Sequence, residues 1–566
     1  MTLFQSQNAF VISTREVIMD QQDSGNFLDR RTLMAVALVG IVWFGWQAYL
    51  GKKYPQSKNA TPVVTEGVGE QKGSDPQKTS AGALAATEPM KVQNSGSVEA
   101  PNLSQPEKLI SYENDSISFE LSSRGMGLKN VILKKHNDRN HQPMKMGYDE
   151  NGFSLFSASI ANDGSPMDFV LTQKNQNLFE GVYKKGGLTV RRELLVQPET
   201  GALENKMTVE GIDSSFAGAV VTIPERKLEA GSHGFLMPSF EHQEYLVLHS
   251  GKEERVNITS LSEKLDETFS SVSTAGVSSQ YFSSALVDKS ELVPEVRLLA
   301  DPTAPYIISQ VIYKPSGGSS RIDLNWISYT GPKSVAQLES IDKNLGHVVN
   351  YGFFTAIARF LLVLLQWFHG LVGNWGLSII LLTLMVRVVV LPLNVTTFRS
   401  TKKMQKLQPI IQSVRERYKD DPQTMNREVM GLWKEHKVNP LGGCLPMLLQ
   451  LPVFFALYQV LGQSIELYQV PFFGWINDLS LKDPYYILPV LMGVAMYLQQ
   501  KMTPTAMDPT QAKVMQFLPV VFALMMVSLP AGLTLYIFVN TLAGIILQRV
   551  FMRDRTTSIS TKEVKV

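Results

Sequence analysis

The sequence predicts a polytopic α-helical membrane protein of six spans carrying a large extracytoplasmic antiparallel β-sandwich domain. Three observations predict it. Apolar segments of crossing length recur, first at 33–50 and then repeatedly beyond residue 374, and about 20 residues rising ~1.5 Å each suffice to cross the hydrocarbon core. Between Leu109 and Ser328 the apolar period changes to two, with glycine turn signals between runs. The most basic loop, 397–439, lies between two apolar segments and orients them by the positive-inside rule.

Composition agrees. The chain has 566 residues, 44% apolar and 18% charged, enough for several domains, and its near-zero mean hydropathy averages a polar half with an apolar half. The formal charge of +2 matters less than where charges sit. The single cysteine, Cys444, excludes an intramolecular disulfide. Eight scattered histidines with no Cys/His cluster argue against a structural zinc site. No metal and no cofactor are expected.

Residues 1–32 read as a cytoplasmic lead, in which Met19 opens a sequence suited to be the true start. Residues 33–50 follow Arg30 and Arg31 and end in Trp43, Phe44, Trp46 and Tyr49. Those bulky rings suit an interface rather than a small-residue cleavage site, so the segment reads as an uncleaved anchor with its N-terminus inside. Lys52 and Lys53 oppose that orientation, and the later loops decide it. Residues 51–106, rich in Ser, Thr, Gly, Pro and Gln, form a disordered tether.

The β domain is assigned to 107–330. Ile117, Phe119 and Leu121 alternate with polar residues, Gly125 and Gly127 interrupt, and Val131 and Leu133 resume; further runs lie at Leu188–Val196 and Tyr306–Tyr313. His233 and His242 are read as ordinary satisfied histidines, because no nucleophile or paired carboxylate stands at a telling spacing. Residues 331–373 form a linker and an amphipathic helix lying along the outer interface, with Arg359 and Gln366 two turns apart on one face.

The second span is assigned to 374–396 and a cytoplasmic helical hairpin to 397–439. Its basic residues include Lys402, Lys403, Lys406, Arg415 and Arg417, against only five acids. Met404, Leu407, Ile411, Val414 and Tyr418 keep helical spacing, Asp421 and Pro422 supply a second start, and Val429, Leu432 and Trp433 form the facing stripe. Further spans follow at 440–462, 485–501, 514–529 and 533–550. The loop 463–484 is outside, and the loop 502–513 and tail 551–566 are inside. Both termini are therefore cytoplasmic.

One residue stands out within the second span. Arg387 is the only full charge in its apolar segment, about 10 residues or ~15 Å of helix from Arg399, too far for its side chain to reach bulk water. No carboxylate lies within the other apolar segments; the nearest, Glu466, is where one of them ends. Intramembrane ionisable groups usually face a bundle interior or wet cavity. Thr383, four residues earlier on the same face, Gln450 in the next span, and Tyr536 with Asn540 in the last are candidates to line a hydrated pocket around it. Taken singly, each serves equally well as interhelical hydrogen-bond glue. The fourth and fifth spans, about 16 residues each, fall short of the usual ~20 and suit a locally thinned bilayer.

These motifs resemble a known family. NWGLSIILLTLMVRVVVLPL, KMQKLQPIIQSVRERYKDDPQ, KVNPLGGCLPMLLQLPVFFALYQVL, DPYYILPVLMG and LPAGLTLYIFVNTLAGIILQ are similar to the YidC/Oxa/Alb insertase family, Gram-negative type, over roughly residues 345–550. The first span, tether and β domain resemble that type in order and size. The resemblance implies a non-enzymatic insertase and chaperone of the inner membrane, acting alone or with the Sec translocon on nascent inner-membrane proteins. It also implies ribosome and signal-recognition-particle-receptor contacts, membrane lipids as partners, and no specific nucleic acid. It implies a five-helix core around a hydrophilic groove closed to the periplasm, with the family's arginine at Arg387 and groove positions at Thr383, Gln450 and Tyr536. The hairpin 397–439 would be the flexible entry element, and the β domain a supersandwich. The short tail, TTSISTKEVKV, departs from relatives with long basic tails, which puts direct ribosome docking through it in doubt.

The alternative reading is an anion transporter or channel. Such proteins usually show internal repeats with discontinuous helices in matching halves, and none is evident here. An enzyme acting through the β domain lacks a catalytic constellation.

Overall fold

In a computed structural model, residues 106–228, 241–436, 445–502 and 509–552 are described, apart from single positions 163, 260 and 316. The expected first span, tether, start at Met19, His233 and Cys444 lie outside the described residues.

Eighteen strands build the N-terminal part, every pair antiparallel. A four-stranded sheet runs in order β1 (Leu109–Glu113), β2 (Ile117–Ser122), β3 (Leu128–Asn137) and β4 (Pro143–Met146). A five-stranded sheet is ordered β13 (Leu265–Phe269), β16 (Glu295–Ala300), β17 (Tyr306–Tyr313), β10 (Ala219–Arg226) and β5 (Ser157–Ile160). The third sheet has nine strands: β12 (Lys252–Asn257), β11 (Glu244–His249), β14 (Val272–Ser278), β15 (Phe282–Asp288), β18 (Arg321–Pro332), β9 (Leu203–Glu210), β8 (Leu188–Val196), β7 (Leu178–Lys185) and β6 (Val170–Gln173).

The period-two pattern is what packs them. Phe119 and Leu121 from the first sheet, Val221 and Val296 from the second, and Val190 and Val209 from the third meet in one core. The inward column of β8 includes an arginine, fully buried Arg192. Its guanidinium donates to the carbonyls of Gly125 (2.7 Å) and Phe156 (3.0 Å) and to Asn205 Oδ1 (2.7 Å), and lies 5.0 Å from the Trp326 ring centroid. Burial without a carboxylate lowers its pKa to about 9. Gly125 must be glycine: its φ is +67°, and a Cβ would stand 2.8 Å from the Ala158 backbone.

Nine helices follow among the described residues: α1 (Val335–Ile341), α2 (Thr355–Val372), α3 (Trp375–Val389), α4 (Leu391–Arg417), α5 (Pro422–Glu435), α6 (Leu445–Gln463), α7 (Ile487–Met502), α8 (Pro509–Met526) and α9 (Ala531–Met552). Two boundaries differ from the sequence reading. The segment read as a single span, 374–396, breaks at Val390, and α4 runs from Leu391 straight into the basic loop. Pro392 is the cause: it has no N–H for the carbonyl four residues back, and its fixed φ suits a helix start. Helix α8 likewise begins at Pro509 rather than at Val514.

By length and composition, two helices among the described residues suffice for a crossing, Gly352–Val372 and Ala531–Phe551; Trp375–Val389 and Leu451–Gln463 are apolar but shorter. The first of the long pair is the helix read from sequence as interfacial. It is one-sided: Ala358, Leu361, Leu362 and Leu365 are buried, whereas Phe360, Val363, Trp367 and Leu371 are exposed. Arg359 pairs with Glu339 at 2.6 Å and Gln366 donates to Glu466 at 3.1 Å.

The β domain and the helices share contacts along one face. Gln280 donates to the Gly462 carbonyl (2.7 Å), Tyr468 to that of Asn137 (2.7 Å), and the Tyr468 ring packs on Tyr281 and Phe282. The loop 463–484 also serves α9, whose first amides at Ala531 and Gly532 donate to the carbonyls of Leu481 (2.7 Å) and Leu479 (2.9 Å).

Candidate functional site

Helices α3 and α9 position the arginine. Asn374 starts α3 as an N-cap, its side chain accepting from Leu377 N at 3.0 Å. Three turns on, half-buried Arg387 reaches across to α9, and its Nη2 donates to the Asn540 carbonyl at 2.6 Å. Its Nε is buried with no hydrogen-bond partner, and no acid forms an ion pair with it among the described residues. A guanidinium offers five donors, so most of its hydrogen-bonding capacity is left for something beyond Asn540.

The other sequence candidates divide. Tyr536 and Asn540 lie one turn apart on α9; Tyr536 is buried, and its ring stands 6.4 Å from Phe454 on α6. Asn540 contacts the arginine through its backbone carbonyl rather than the side chain on which the sequence reading rested. Thr383 is buried, but its hydroxyl donates to the Ile379 carbonyl at 2.6 Å, so it is held on its own helix. Gln450 belongs to α6, and its side chain lies outside the described residues.

Two neighbours escaped sequence reasoning. A Cβ at Gly544 would stand 3.3 Å from Arg387 Nη2 and 2.6 Å from Gln499 Nε2. This places Gln499 of α7 and Gly544 of α9 beside the guanidinium. A signal existed for each. Gln499 is polar near the end of an apolar helix, and Gly544 continues the four-residue spacing of Tyr536 and Asn540.

At the other end of the bundle, Phe472 from the loop 463–484 covers Gly376, where any Cβ would overlap its ring. His369 stacks on Trp375 with ring centroids 4.0 Å apart. Glu466 accepts from Gln366, and its burial raises its pKa above the usual carboxylate range.

The hairpin α4–α5 closes on a small core of Leu407, Ile411 and Val429, flanked by Met404, Val414, Leu432 and Trp433. Lys403, Lys406 and Arg417 are exposed, and Lys402 and Arg415 half-buried, leaving a cationic outer surface. In the β domain His242 Nε2 lies 3.9 Å from Glu244, inside a structural charge cluster. No group of three metal-ligating side chains occurs among the described residues.

A sequence model described as the 60Kd inner membrane protein matches residues 367–558, and one described as the YidC periplasmic domain matches 109–364. A membrane protein insertase YidC of Geobacter metallireducens is 33% identical over 549 residues, covering 92% of this chain and 98% of that protein. The chain belongs to the YidC membrane protein insertase family. Its YidC relative in Geobacter sulfurreducens is 45% identical over 293 residues, an alignment spanning 51% of this chain and about half, 54%, of that protein. A solved structure described as an active YidC insertase with the first transmembrane domain resolved aligns at 19% identity and a TM-score of 0.36, covering 79% of this chain and 93% of that one. YidC proteins are insertases and not enzymes. The periplasmic-domain match takes in the whole β domain, and the 60Kd match takes in Arg387, the hairpin and α9.

Proposed function

We propose that this chain inserts and folds inner-membrane proteins, alone or beside the Sec translocon, by drawing acidic residues of a client's short extracytoplasmic segment toward Arg387. The observation that carries this is the guanidinium itself: half-buried, held by one backbone carbonyl, and without an acid partner among the described residues. Attraction between unit charges is several-fold stronger in a site of reduced dielectric than in water. In this reading a hydrophilic groove surrounds it, with Tyr536, Thr383, Gln450 and Asn540 as its expected lining. The cationic hairpin receives the client on the cytoplasmic side. The client's apolar helix then passes along the outward faces of α6 and α8, and on α8 Phe517, Val520 and Leu524 are exposed. Burial in lipid, worth about 25 cal/mol per Å² of apolar surface, drives its departure. In this reading there are six crossings, α2 lies along the periplasmic interface, and both termini are cytoplasmic.

The test is insertion into vesicles of paired clients with and without acidic residues in the translocated segment. Arg387→Ala lowers insertion of the acidic client about tenfold, Arg387→Lys much less, and the neutral client changes little. Undiminished insertion of the acidic client by Arg387→Ala ends the charge reading.

A further inference from the structure

Helix α9 carries Tyr536, Asn540 and Gly544 at four-residue intervals on one face. The Asn540 carbonyl, mid-helix, accepts from Arg387 Nη2 at 2.6 Å. Such a carbonyl is normally shielded, because the Cβ of the residue four places on tilts back toward the helix N-terminus and covers its flank. Here that residue is buried Gly544, and an added Cβ would lie 3.3 Å from Arg387 Nη2 and 2.6 Å from Gln499 Nε2. Its backbone is ordinary helix with no positive φ, so no conformational demand requires glycine, and helix propensity disfavours it.

We propose that Gly544 is a positioning residue: its missing side chain leaves a notch on α9 that seats the Arg387 guanidinium against the Asn540 carbonyl, with Gln499 of α7 as the opposite wall. Seated there, the guanidinium has one N–H engaged and its Nε buried, and its other donors meet a carboxylate. A planar fork needs the notch, whereas a lysine ammonium, compact and freely rotating, does not. The inference rests on the reading of Arg387 as the cation that meets the client.

The test uses the full chain in vesicles, with Gly544→Ala and Gly544→Leu made alone and in the Arg387→Lys background, and with paired acidic and neutral clients. Gly544→Ala is expected to lower insertion of the acidic client about five- to tenfold and of the neutral client less than about twofold, Gly544→Leu to act more strongly, and both effects to shrink below about twofold in Arg387→Lys. In 15N-arginine-labelled protein, the Nε–H signal that Arg387→Lys removes should shift in Gly544→Ala. Parental insertion of the acidic client by both variants overturns the notch. So does an equal loss for both clients, or an equal loss in the Arg387→Lys background, since either marks general helix packing. If Arg387→Ala itself inserts the acidic client normally, the charge reading falls and the notch with it. A loss in Arg387→Ala with none in the Gly544 variants removes the notch alone.

Discussion

Single buried polar groups differ in how far fixed acceptors meet their hydrogen-bonding capacity. Arg192 has its donors matched to fixed acceptors within the β core, whereas Arg387 has one carbonyl and an unmatched Nε. Glu225 on β10 is a third case. It is buried, accepts from the Ser284 hydroxyl and from Gly147 N at 2.9 Å, and burial pushes its pKa up from 4.5 to about 7. A raised carboxyl pKa means the fold holds the proton more tightly than the unfolded chain. Stability is therefore full below about pH 4.5 and is lost as pH rises toward 7, at ~1.4 kcal/mol per pH unit. Glu225→Gln, which cannot ionise, should flatten that slope. Melting temperatures of the two proteins between pH 4.5 and 8 check this, and parallel pH profiles would contradict it.

Elements are held by their ends. Helix α7, short for a crossing, begins where buried Asp483 collects three donors: Trp475 Nε1 at 3.0 Å, Tyr485 N at 3.1 Å and Leu488 N at 2.6 Å. Asp483→Ala strands those donors and should destabilise the fold by roughly 2–4 kcal/mol, with Asp483→Asn intermediate because it retains one acceptor oxygen. Hydrogen exchange at residues 485–490 is the readout, and unchanged protection would show that the cap is dispensable. Local signals made such ends legible: Asn374, Asp421 and Pro422 start helices as their types predict. The break at Val390 was not anticipated. An apolar run looks continuous in hydropathy, whereas the backbone is interrupted by the hydrogen bond that Pro392 cannot make.

For the whole molecule, one tie between the β domain and the linker that leads into the helices is a largely buried ionic cluster. Arg255 on β12 pairs with Glu244 and, at 2.5 Å, with Glu253, and donates to the His347 carbonyl in the short helix Lys343–Val348. Buried Lys333, just past β18, donates to the Ser279 carbonyl at 2.8 Å, and burial lowers its pKa to about 7. Breaking a buried pair leaves an uncompensated charge, so Arg255→Met should cost about 3–5 kcal/mol and loosen the 343–348 segment. The readouts are hydrogen exchange there and thermal melting. Glu244→Gln with Arg255→Met should recover part of the loss, and a strictly additive pair would refute the coupling.

The strands at Ile117–Ser122, Leu188–Val196 and Tyr306–Tyr313, the facing stripes of the hairpin, and the isolation of Arg387 in an apolar run were all legible in the sequence. Each is a local pattern, read from period, composition and charge within a few turns of chain. Only the tertiary structure could bring Asn540, Gly544 and Gln499 to the guanidinium and set Glu244, Arg255 and Lys333 in one cluster. Those relations depend on which helix faces which and on what a backbone carbonyl or a missing Cβ presents across the gap, and neither is encoded in the identity of any neighbouring residue.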